Sequence, residues 1–183
     1  MRRRLLWLLI GTVVVAVGLG LFWFTPWKVF TNKRVDEAVP VVVATASPPA
    51  SPTSTPTPTA TATAIPAPVD RLLAAGTFVS HEHHTTGTVQ LVARADGRRQ
   101  LVLRDLSTSD GPDVWVWLSD QPVGADRSAF GRGHYVPLAR LKGNQGNQVY
   151  DVPAEVDLGS VHSVSLWCRR FSVSFGAAAL NPA

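Results

Sequence analysis

One cysteine, five histidines and a few clustered acids are the side chains of this 183-residue chain with the most chemistry to offer. The cysteine, Cys168, lies in Ser165-Leu166-Trp167-Cys168-Arg169-Arg170-Phe171-Ser172-Val173-Ser174-Phe175. A thiol acts as nucleophile, metal ligand or redox group through its thiolate, and the charges of Arg169 and Arg170 would favour that form. Cys168 also shares the apolar parity of a strand with Val164 and Leu166, the setting of a small buried hydrophobe. Phe171, Val173 and Phe175 follow in the opposite parity, so Arg169-Arg170 marks a turn or bulge where the register flips. A lone cysteine leaves no internal disulfide, and the folded part must be held by its core.

His81-Glu82-His83-His84 is the second candidate. On a strand His81 and His83 would point the same way, as zinc or copper ligands can. Two ligands do not make a site, and His134 and His162 complete one only if the fold brings them close; a solvated loop tip is the alternative. Asp105, Asp110 and Asp113 flank the third and fourth strands, where carboxylates can do acid–base work or bind calcium. Asp110-Gly111-Pro112-Asp113 reads instead as turn chemistry, with the carboxylates capping backbone amides. No metal site is assigned. The chain has no Gly-x-Ser-x-Gly elbow, His-Glu-x-x-His pair or P-loop, so hydrolase and nucleotide-enzyme readings lack support.

The elements that would position these groups are short alternating runs. Strands are expected at Gly76–Val79, Gly87–Ala93, Arg99–Leu106, Val114–Leu118, His134–Leu141, Asn147–Val152, Ser163–Cys168 and Phe171–Phe175, after one helical turn over Asp70–Ala75. Asp96-Gly97 is a hairpin signal. The pattern predicts an all-β fold, an antiparallel β-sandwich of about seven or eight strands over 70–183. In Val114-Trp115-Val116-Trp117-Leu118 both faces are apolar, so this strand is either covered on both sides or presents Trp115 and Trp117 as an aromatic platform.

The first part of the chain is of another kind. Leu5 to Phe24 carries no charge and, at about 1.5 Å per residue, reaches about 30 Å, the thickness of a bilayer core. Arg2-Arg3-Arg4 precede it, so residues 1–4 are expected in the cytoplasm and 5–24 as an uncleaved transmembrane signal-anchor in the plasma membrane, single-pass, with the rest extracytoplasmic. Residues 25–46 form an unassigned juxtamembrane segment. Residues 47–68, built from Pro, Ser, Thr and Ala with one Ile, read as a disordered stalk suited to O-glycosylation, about 70 Å long at full polyproline extension. Before Ala46 six Lys/Arg face two acids, and from Val69 onward eleven Lys/Arg balance eleven Asp/Glu. The basic balance thus belongs to the anchor, and a nucleic-acid role is set aside.

Spaced motifs through the C-terminal part resemble the DM13 domain family. They are Gly76-Thr77-Phe78, Thr86-Gly87-Thr88-Val89, Gly111-Pro112-Asp113, Leu141-Lys142-Gly143-Asn144-Gln145-Gly146, Gln148-Val149-Tyr150-Asp151-Val152-Pro153, and Trp167-Cys168 with Phe171-Ser172-Val173-Ser174-Phe175-Gly176. The resemblance implies a β-sandwich-like, often membrane-attached domain proposed to transfer electrons. It also implies that Cys168 is the redox candidate, as bare thiol or as ligand to a prosthetic group such as haem. His83 or His84 would be the second axial ligand. A redox or surface partner would complete the system. The alternative is a non-catalytic cell-surface module that binds a glycan or protein through Trp115, Trp117 or its loops.

Overall fold

The structure, a computed structural model, describes residues 2–24, 31–40, 69–124 and 126–183. The expected stalk at 47–68 lies outside the described residues. Helix α1 spans Arg2–Phe24, and ten strands follow: β1 (Arg34–Asp36), β2 (Arg71–Ser80), β3 (Thr86–Ala93), β4 (Arg99–Ser107), β5 (Val114–Ser119), β6 (Tyr135–Arg140), β7 (Gln145–Val152), β8 (Ser163–Cys168), β9 (Val173–Ala179) and β10 (Asn181–Pro182). All eight expected strands are present, β8 with its expected ends and the other seven with shifted ones, and β1 and β10 are additional.

The expected helical turn over Asp70–Ala75 is instead the start of β2. Six residues are too few for a stable isolated helix, whereas β3 offers a complete ladder. Leu72 lies opposite Val92 and Ala74 opposite Leu91, with a register shift between them. The last β2 residue expected from the sequence also shifts, since the strand runs on to Ser80.

The architecture is one curled sheet rather than two separate layers, with strand order β1-β7-β4-β3-β2-β9-β8-β5-β6 and β10 on β2. The ten residues of β2 explain why. Its first part pairs with β3 and β10, and its end, Phe78–Ser80, pairs with β9. A bulged strand twists strongly and can carry a sheet round a corner. The two halves close on an interior that joins Leu101, Leu103 and Tyr150 to Val116, Leu118, Leu166 and Phe175, and β6 comes against β7. Burying such side chains contributes roughly 1.5–3 kcal/mol each.

All pairings in this sheet are antiparallel except one: β1 runs parallel to β7, with Val35 opposite Gly146. The unassigned segment after α1 therefore supplies an edge strand. Lys33 N donates to Asn144 Oδ1 at 2.6 Å, and Asn144 Nδ2 donates to Asn32 Oδ1 at 2.8 Å. Glu37 accepts from Lys142 Nζ at 2.7 and 2.8 Å and from the Val149 amide at 2.7 Å. Burial works to raise the Glu37 carboxyl, but Lys142 and the Val149 amide outweigh it and hold it below the usual carboxylate range. Gly143 and Gly146 make room: a Cβ at either would overlap a carbonyl oxygen of Lys33 or Val35, and Gly146 has φ +96°. The segment ends with Arg104 Nη2 donating to the Pro40 carbonyl at 2.8 Å.

Helix α1 touches none of this core, and its apolar side chains, among them Trp7, Leu8, Val14 and Phe22, are exposed. Among the described residues no helix is long and apolar enough to cross a membrane. The described residues therefore do not support the transmembrane span expected at Leu5–Phe24.

Candidate functional site

Strand β8 places its residues alternately on two faces. Val164, Leu166 and Cys168 join the interior, whereas Trp167 joins a second cluster on the outer face with Trp117, Phe130 and Ala177. Cys168 is 0 % exposed and lies between Val114 on β5 and Val173 on β9. A thiolate there would be a charge buried among hydrocarbon, which costs free energy unless it is paired. Arg169 does not pair with it: its guanidinium lies 4.8 Å from the Trp115 ring centroid, on the outer face. The turn expected at Arg169-Arg170 is present, but it runs to Ser172, which has φ +54°, and Phe171 sits in it 45 % exposed rather than starting the next strand.

The histidines do not converge. Residues 81–83 form a bend, not a strand, so alternation does not place His81 and His83 on one side. The His81 ring lies 5.7 Å from Phe130 of the outer cluster, with Nδ1 2.8 Å from Ser174 Oγ. The His83 ring lies 3.8 Å from Phe175 of the interior. Burial lowers both imidazoles below the usual histidine range, with Arg127 adding to the effect at His81. His84 is exposed, as are His134 and His162, which stand at other loops. Among the described residues no group of three or more His, Cys, Asp or Glu side chains is placed to hold a metal ion.

These residues do not fit the axial pair expected for haem. Cys168 directs its side chain into the packed interior, His83 is held against Phe175, and His84 is on the surface. The acids are turn and pairing groups, as their spacing suggests. Asp110 Oδ1 accepts from the Gly111 amide at 2.9 Å, and Asp113 Oδ1 accepts from Trp115 Nε1 at 2.8 Å and Arg140 Nη2 at 2.6 Å.

The outer face of β5 and β8 gathers what the histidines do not. Val114, Val116 and Leu118 of β5 face the interior, so Trp115 and Trp117 face out, opposite Trp167 and Ser165. Phe130 and Val123 pack over this face, which is why Trp117 is only 4 % exposed and no open platform forms. Trp117 stacks on Tyr135 with centroids 3.8 Å apart and planes at 3°, and on Trp167 at 5.1 Å and 22°. Tyr135 is 39 % exposed. An open concavity of about 410 Å³ lies here, lined by Trp117, Tyr135, Trp167, Arg132, Arg169 and Ser172 among others. Sequence reading singled out Trp115 and Trp117 but not Tyr135 as their partner. The signal was available for Trp167, whose parity opposes that of Cys168.

Fold and site together define a small β-rich domain with one buried thiol and a contiguous set of oxidisable aromatic side chains that reaches the surface. Residues 77–180 match the family described as electron transfer DM13, and the chain belongs to that family. Its role is accordingly a redox one. No curated protein and no solved structure matches the chain.

Proposed function

We propose that this protein is a membrane-anchored electron-transfer module, single-pass in the plasma membrane, with a cytoplasmic N-terminus and an extracytoplasmic DM13 domain. Electrons cross its surface at the outer aromatic cluster rather than through nucleophilic attack by Cys168. The observation that carries this reading is the contact series from Trp167, the chain neighbour of Cys168, through Trp117 to the exposed Tyr135. Thiol exchange needs the sulfur to reach its partner, and Cys168 has no exposed surface. Electron transfer needs only proximity of donor and acceptor.

The anchor is supported by the uncharged run Leu5–Phe24 behind Arg2-Arg3-Arg4. Leu6, Trp7, Leu8, Leu9 and Ile10 are consecutive, so they cover more than a full helical turn, and all are exposed. A helix apolar all round requires an apolar surrounding. The second reading, a binding module for a glycan or protein, draws on the concavity with Arg132 and Arg169. Trp117 and Trp167, both buried, leave little ring surface for a sugar face.

The full chain in phospholipid vesicles tests both parts of the reading. It is expected to stay with the vesicles through an alkaline carbonate wash and to reduce a photogenerated ruthenium(III) polypyridyl complex added outside. A chain that washes off contradicts the anchor. One that reacts no faster than free tryptophan and tyrosine contradicts the redox site.

A further inference from the structure

Trp117 carries an anomaly that the packing does not explain. Its Nε1 is buried and, among the described residues, it is the buried side-chain nitrogen or oxygen left without a hydrogen-bond partner. Most buried polar atoms in folded proteins are bonded, so each exception calls for a reason. The contrast with Trp115 is direct, since that indole N–H donates to Asp113 Oδ1 at 2.8 Å. The unbonded indole is also the middle ring of the stack, with Trp167 on one side and Tyr135 on the other.

We infer that Trp167, Trp117 and Tyr135 form a directional one-electron relay, in which Trp117 passes the oxidising equivalent on and Tyr135 is its surface terminus. The inference rests on the electron-transfer reading above and names its route. When Trp117 gives up an electron, its indole becomes a radical cation that would ordinarily shed the Nε1 proton. No protein group among the described residues accepts that proton, so the charge stays on a ring that burial disfavours. Tyr135 stands in contact and is wet. It gives an electron to Trp117 and releases its phenolic proton to water, leaving a neutral phenoxyl radical and restored indole.

The electron count closes with two partners. A high-potential, metal-centred one-electron oxidant on one partner takes an electron from the tryptophan end and is reduced by one. A hydroquinone-class donor returns one electron to the Tyr135 radical, which takes a proton back from water. The relay returns to its starting state after each transfer. Trp115, directly opposite Trp167 across the ladder, is not the terminus, because the Arg169 guanidinium lies 4.8 Å from its ring centroid and disfavours positive charge on that indole.

The chain is well suited to the test, having only two tyrosines, of which Tyr150 is buried and bonded to Gln148 Oε1 at 2.6 Å. The full chain in detergent micelles is oxidised with pulse-generated azide radicals, which attack indoles in preference to phenols. The expected result is conversion of indolyl to phenoxyl absorption at a rate independent of protein concentration. That conversion is lost in Tyr135→Phe, retained in Tyr150→Phe, and replaced in Trp117→Phe by a concentration-dependent route. Phenoxyl formation at the wild-type rate in Tyr135→Phe overturns the relay, as does its loss in Tyr150→Phe. Tyr135→Phe keeps the ring and its stacking, so the tyrosine pair decides the matter even where Trp117→Phe does not fold. If Tyr135→Phe leaves the exchange with ruthenium(III) and the phenoxyl signal intact, the relay fails and the electron-transfer reading stands. If the wild-type chain does not exchange electrons at all, both fail.

Discussion

Cys168 is a residue whose chemistry and packing make opposite demands. Reactivity requires exposure and a stabilised thiolate, whereas Cys168 is enclosed by Val114, Val173 and the interior cluster. The alternation of Val164, Leu166 and Cys168 made its face legible from the sequence. Depth was not legible, because it depends on β5 and β9 flanking that strand and on the opposite half of the sheet closing over it. The histidines show the complementary limit. A period-2 argument holds only within a strand, and at residues 81–83 the backbone bends to bond the carbonyls of Ser174 and Phe175. Replacing Cys168 with Ser puts a hydroxyl in an apolar site. Chemical denaturation is expected to show a loss of roughly 1–3 kcal/mol relative to wild type. An unchanged denaturation midpoint would mean that the side chain is not in the closed interior.

Among the elements, β1 is the one the sequence concealed most completely. Three residues carry no periodic signal, and the groups that receive them, Gly143, Asn144, Gly146 and Val149, lie more than a hundred positions later. By contrast β8 was predicted with its observed ends, since its alternation is uninterrupted and a charged turn follows it. The docking of β1 depends on Glu37, whose partners Lys142 Nζ and the Val149 amide would both lose an acceptor in Glu37→Ala. That variant is expected to lose about 1 kcal/mol of docking, the ordinary scale for a half-exposed pair. Trypsin should then cut after Arg34 severalfold faster, with cleavage inside β4 unchanged. Equal cleavage after Arg34 in variant and wild type would remove β1 from the account.

At the scale of the whole molecule, the shared strand β2 turns an expected two-sheet sandwich into one curled sheet, and β1 changes how that sheet is carried. The segment 31–40 is bonded to the domain as far as Pro40, whose carbonyl accepts from Arg104, and Asp70 accepts from the Ala95 amide at the start of β2. The exchange face proposed for this module is aromatic. The most direct measurement is the rate at which the full chain in vesicles reduces photogenerated ruthenium(III), compared between wild type and Cys168→Ala. Equal rates in two folded proteins are the predicted result. Loss of the reaction in a folded Cys168→Ala chain would contradict the account and return the thiol to the centre of the mechanism.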